Sequence, residues 1–153
     1  SALAFCGSLK FSAQAIKAVK RIMSCQEHAR DILGRKDPAG VELHSLCEEA
    51  YPYLPEVLLL ARASLSRKNA HMGRVKESSG VFERMNTAWS YHVDTYQVHR
   101  QSPLINGDDV IDTLGLSPGP HVGRVLRMVE TARAEGIVRS RSEALEYLHT
   151  IPG

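Results

Sequence analysis

No Cys-x-x-Cys spacing occurs in this chain, and its three cysteines, Cys6, Cys25 and Cys47, are an odd number. That argues against a zinc site or a disulfide framework and predicts free thiols in a reducing, cytoplasmic setting. No apolar run reaches the length of a membrane span, so no membrane partner is expected. The opening residues, SALAFCGSLKF, lack both an initiator methionine and a charged region ahead of an apolar core. They do not read as a signal peptide, and the chain is expected to be a piece of a longer protein. An excess of one charge is missing too. Lys and Arg number 19 against 17 Asp and Glu, a formal net charge of +2. Binding to nucleic acid would therefore depend on local basic patches. Strand-like alternation is absent throughout, and no repeat of solenoid period stands out.

What is present is an ordinary globular composition: 153 residues, 43% hydrophobic and 24% charged. That is enough for one sizeable core or two small helical layers. The expected fold is all-α, a bundle-like array of about six or seven helices joined by short loops, ending in a small C-terminal helical motif. Residues 1–100 are expected to form a helical body and residues 101–153 a tail.

Along the body, Ser12 is a candidate N-cap for a helix over Ala13–Gln26, where Ile16, Val19, Ile22 and Met23 recur at helical spacing. Lys17, Lys20 and Arg21 gather on another face of it, joined by Lys10 just before. They are either a solvated face or a phosphate-contacting stripe. Asp37 and Pro38 are suited to starting a short helix over Val41–Ala50. Tyr51-Pro52-Tyr53-Leu54-Pro55 is a break, and a buried helix with Leu54, Val57, Leu58, Ala61 and Leu65 follows to about Ala70. The triple leucine at 58–60 suggests cover on more than one side. After a polar loop over 73–80, Ser78 or Ser79 is expected to cap a long helix to Arg100 carrying Val81, Met85, Ala88, Trp89, His92, Val93 and Tyr96. With its neighbour it would complete two antiparallel pairs.

The tail is the best-punctuated stretch. Gly107-Asp108-Asp109 opens a helix over Val110–Leu114, and Gly115 closes it. Ser117-Pro118-Gly119-Pro120 is a turn that starts a second helix, with Pro120 where a missing N–H does no harm. That helix runs to about Glu135 with Gly136 as its C′ residue, and Ser140 or Ser142 caps a last helix, Glu143–Leu148. On the second helix Val122, Val125, Leu126 and Val129 share one face, with Arg124, Arg127 and Thr131 opposite. Gly119, His121 and Gly123 sit at its start, where free N–H groups and close backbone approach suit an anion. Arg139 and Arg141 add positive charge beside the last helix. The competing reading is a packing motif in which Gly123 lets two helices approach.

These residues carry a resemblance. Pro103, Leu104, Gly107, Asp109, Leu114, Gly115, Pro118, Gly119, Pro120, Gly123, Leu126, Gly136, Glu143, Ala144 and Leu145 match, in type and spacing, the C-terminal region of the tRNA nucleotidyltransferase/poly(A) polymerase superfamily, the CCA-adding enzymes. Val110 stands where that family usually has Leu. Leu9-Lys10-Phe11-Ser12 is similar to the segment that opens the family's helices after the catalytic parts. The resemblance implies a body and tail that grip tRNA or another RNA, on the elbow and T-arm side of tRNA. A catalytic head upstream in the same chain would add nucleotides to the 3′ end. Magnesium and nucleoside triphosphate are expected only in that head, since no strand-borne Asp-x-Asp occurs here. No catalytic residue and no metal ligand is assigned. Asp108 and Asp109 read as a cap pair at a positive helix end. The seven histidines show no metal spacing, and no His is placed beside a Cys as a nucleophile would need. The rival expectation is a helical scaffold or dimerisation module with no RNA contact.

Overall fold

Ser12 starts the first helix as expected: its extended backbone breaks the helical pattern and its hydroxyl accepts the Ala15 N–H at 3.2 Å. The computed structural model describes residues 11–71 and 77–151, with backbone alone for residues 68–70 and 77–79. The described residues are all-α and contain no strand. Their elements are α1 (Ala13–Gly34), α2 (Gly40–Ala50), α3 (Leu54–His71), α4 (Glu77–Tyr91), a π-helical turn (His92–Tyr96), α5 (Gln97–Gln101), α6 (Gly107–Leu114), α7 (Pro120–Ala134) and α8 (Arg141–Leu148). Counting the consecutive segments 77–101 as one gives seven helices. The chain divides into two compact units, Ser1–His92 and Val93–Gly153.

In the first unit α1 packs chiefly on α3, and α3 in turn on α4, so the main partners are not simply chain neighbours. The helix is eight residues longer than its expected end at Gln26. Cys25, Ala29, Ile32 and Leu33 are buried at steps of four, three and one, which keeps an apolar stripe going through polar sequence. The residues expected to form its core stripe, Ile16, Val19 and Ile22, are only half-buried, and Met23 is exposed. The start of α2 also differs from expectation. Ala39, not Asp37, precedes the helix, because the Glu42 carboxylate accepts the Ala39 N–H at 2.9 Å and supplies the cap that alanine lacks. Leu58 is buried but Leu59 and Leu60 are exposed, so at these positions α3 is covered on one side. Arg84 ties α4 to the end of α1, donating to the Leu33 carbonyl.

α4 already begins at Glu77, ahead of Ser78 and Ser79, which overturns both as caps. Residues 72–76 of the expected loop lie outside the described residues. Val81, Ala88 and His92 are buried as the spacing predicts, but Trp89 is exposed. His92 is one of two buried polar residues of the described structure, with His44. Burial holds its pKa below the ordinary imidazole value of 6.5. The unfolded chain then takes up the proton first as pH falls. The stability from neutral His92 is complete above about 6.5 and is lost as pH drops toward the folded pKa. His92→Gln should flatten the decline of stability below that pH, as measured by urea unfolding at neutral and mildly acidic pH.

The second unit is built on one core: Ile105, Val110, Val122, Val125, Val129, Ala132, Val138, Ala144 and Leu148. α6, α7 and α8 each pack on the other two. The helix α6 starts three residues before the expected Val110. Asn106 is its N-cap, accepting the Asp109 N–H at 2.9 Å, while the Asp109 carboxylate accepts the Asn106 N–H at 2.9 Å. Asp109 is thus the third helical residue of a reciprocal cap, not the cap itself. Asn106→Ala should cost about 1 kcal/mol, read as a lowered thermal midpoint. Gly115 (φ 63°) ends α6 and Gly136 (φ 76°) ends α7, both in the left-handed region where glycine carries no side-chain penalty. After α7, Ile137 N–H reaches the Ala132 carbonyl and Gly136 N–H that of Arg133, a Schellman ending. Pro120 occupies the first position of α7, and Ser140 caps α8 by accepting the Glu143 N–H at 3.3 Å.

Candidate nucleic-acid interface

α7 has the two faces its sequence predicts. Val122, Val125 and Val129 are buried and Leu126 packs against them, while Arg124 and Arg127 are exposed on the far side. Neither arginine has an ion-pair partner among the described residues. Thr131 stays close by, its hydroxyl donating to the Arg127 carbonyl at 2.9 Å. Other arginines of this unit are engaged. Arg133 donates to the Ser102 carbonyl at 3.0 Å and faces Glu130 at 3.7 Å.

The turn before α7 is filled by its own histidine. The His121 ring donates from Nε2 to the Ser117 carbonyl at 2.7 Å and lies over Gly119. A Cβ on Gly119 would meet His121 Cε1 at 2.8 Å, closer than such contacts occur. Its φ of 174° is extended backbone open to any residue, so space and not conformation favours glycine there. Among the described residues no neighbouring helix comes within 4 Å of a Cβ added at Gly123; what lies there is Arg127 Nη1, at 3.9 Å. The helix-approach reading of Gly123 is therefore corrected.

Arg139 and Arg141 are held by local partners. Arg139 donates from Nε to the Gly136 carbonyl at 3.2 Å. Arg141 Nη2 donates to Asp109 Oδ1 at 2.6 Å, joining the starts of α8 and α6. Asp109 is thereby committed to a cap and an arginine, which does not fit a metal-binding carboxylate. Among the described residues no three His, Cys, Asp or Glu side chains gather as a metal site would need.

In the first unit, Lys17, Lys20 and Arg21 are exposed on α1, and Lys10 lies outside the described residues. The three cations line a cleft of about 760 Å³ together with Gln14, Ser24, Tyr51, Pro52 and Tyr53. Among the described residues no acidic side chain lines it. Sequence reasoning found the cations by their spacing on one helix but not the tyrosines, which come from a turn some thirty residues away. A second cleft, of about 660 Å³, is lined by Glu27, His28, Arg30, Asp31, Gly34, Arg35 and Leu65. Arg35 pairs with Asp31 of the same lining and with Glu42 outside it, and His28 donates to Glu49, also outside it, at 2.6 Å.

The buried interior also brings together groups that sequence separates. Tyr91 Oη lies 3.5 Å from His44 Nδ1. Burial pushes the Cys47 thiol up to about 12, so it is no nucleophile at neutral pH. Burial, and then Cys47, raises Tyr91 to about 12 as well.

A family model described as tRNA nucleotidyltransferase domain 2, putative, matches residues 1–148. The chain is 29% identical over 145 residues to the CC-adding tRNA nucleotidyltransferase of Synechocystis sp., covering 91% of this chain and 30% of that protein. It is 46% identical over 48 residues to the CC-adding tRNA nucleotidyltransferase of Thermus thermophilus, covering 31% of this chain and 11% of that protein. It is 48% identical over 46 residues to the A-adding tRNA nucleotidyltransferase of Deinococcus radiodurans, covering 30% and 11%. The chain thus spans less than a third of the length of these curated relatives. No solved structure matches it.

Proposed function

Because the chain belongs to the tRNA nucleotidyltransferase domain 2 family, we propose that it is the tRNA-holding body and tail of such an enzyme. Residues 1–100 serve as body and 101–153 as tail. They grip the RNA backbone, on the elbow and T-arm side of tRNA, while a catalytic head upstream in the same, longer protein adds nucleotides to the 3′ end. Magnesium and nucleoside triphosphate belong with that head. The setting is the cytoplasm, where the free thiols of Cys25 and Cys47 stay reduced.

The observation that carries this reading is the pair Arg124 and Arg127. A phosphate contact needs a cation that no carboxylate has already neutralised, held on a rigid element. Both arginines meet that condition, on a helix whose other face is core. Relatives with two different products, CC-adding and A-adding, match the chain. A region common to both suits the task they would share, which is holding the RNA. Recognition then rests on phosphates, 2′-hydroxyls and shape, with little reading of bases.

Titration of the chain with total tRNA at about 0.05 M and about 0.2 M salt tests the proposal. Micromolar binding that weakens steeply with salt is expected. Absence of binding at the lower salt would overturn a grip that works without the head. The second reading, a scaffold or dimerisation module, is favoured by the exposed Leu59 and Leu60 on α3.

A further inference from the structure

Phosphate contact alone does not explain the composition of the cleft on α1. Gln14, Lys17, Arg21 and Ser24 step by three or four residues, so they stand in one row along the helix, with Lys20 beside them. This row supplies three cations and two neutral hydrogen-bonding side chains. Tyr51, Pro52 and Tyr53 line the same cleft from the turn before α3. A surface that only follows a backbone can use a phenol hydroxyl on a phosphate but has no use for the aromatic face. Aromatic rings beside cations are what an unstacked base needs, because every base has a face to stack and a phosphate on either side. The volume, about 760 Å³, falls within the roughly 300–1,000 Å³ of pockets that enclose small ligands. The neighbouring cleft around Arg35 has its own carboxylates, whereas among the described residues none lines this one. The half of α1 that carries it has no fully buried residue before Cys25, so the row stands clear of the core.

We propose that this cleft seats one unpaired nucleotide of the bound RNA, its phosphates on Lys17, Lys20 and Arg21 and its base against the tyrosines. Gln14 and Ser24 are placed to meet the base edge or the 2′-hydroxyl. The inference rests on the RNA-holding reading and narrows it. The preferred RNA has a nucleotide out of the stack, and a continuous duplex satisfies only the cations. Selection is by availability of a base, not by its identity, because stacking tolerates all four.

The test compares two labelled RNA duplexes of the same sequence, one perfect and one with a single-nucleotide bulge, by fluorescence anisotropy with the 153-residue chain. The bulged duplex should bind about five- to a hundredfold more tightly. Tyr51→Leu/Tyr53→Leu should remove that preference while leaving binding to the perfect duplex and its salt dependence unchanged. The corresponding Phe variants should keep the preference. Circular dichroism checks folding; if the double variant does not fold, Tyr51→Leu alone, at an exposed position, carries the comparison. Equal affinity of the unmodified protein for both duplexes, or a preference that survives the leucine variants, overturns the nucleotide site and leaves the RNA-holding reading intact. No binding to either duplex or to tRNA overturns both.

Discussion

Replacing Arg124 and Arg127 together by alanine should lower the slope of log affinity against log salt, for tRNA binding, by about two. Each lost phosphate contact removes about 0.9 from that slope if the duplex value holds. Two contacts then cost roughly two orders of magnitude in affinity near 0.05 M salt, and about one order near 0.2 M. The fold should not notice. Both side chains are exposed, neither has an ion pair among the described residues, and the core face of α7 is untouched. Exposed substitutions of this kind usually change stability by about 0.5 kcal/mol or less. A thermal melt alongside the binding curve separates the two effects. Binding and salt slope equal to those of the unmodified chain would sink the RNA role of α7 and favour the scaffold.

The largest stability effect is expected at Leu148. It is fully buried in α8, within the core that α6, α7 and α8 share with Val110, Val129 and Ala144. Leu148→Ala removes three carbons from a packed site and should cost about 2–5 kcal/mol, depending on how far the neighbours close the gap. The unit it belongs to, Val93–Gly153, has roughly sixty residues. At about 0.05–0.15 kcal/mol per residue such a unit has only some 3–9 kcal/mol to lose. Hydrogen exchange at the Val129 and Ala144 amides, with urea unfolding, would report it. A loss below about 1 kcal/mol would show that Leu148 is not a keystone of this core.

The tail was legible because its signals are local. Gly115 and Gly136 mark helix ends that need a left-handed residue, and Pro120 and Ser140 mark starts. Each acts within one turn of where it stands. The period of Val122, Val125 and Val129 likewise placed Arg124 and Arg127 outward. Errors arose where a side-chain or tertiary contact decides. The cap at Ala39 depends on the Glu42 side chain. The second half of α1 is held by Cys25 and Ala29, small residues that add little to an apolar pattern but are fully buried, Cys25 with its thiol on the Glu49 carbonyl of α2. The widening of the helix at His92–Tyr96 left no mark in the spacing. For the candidate interface, spacing along one helix gave the cations, while Tyr51 and Tyr53 join them only through tertiary packing.

The turn at Gly119 has a consequence for how this sequence can drift. The space a Cβ would take at position 119 is filled by the ring of His121, which the Ser117 carbonyl holds in place. A change at 119 alone meets an occupied site, although the backbone there would admit any residue. Once the residue at 121 becomes small, the same change is open. A substitution at 119 has to turn the His121 ring away from the Ser117 carbonyl, so its effect depends on which residue stands at 121.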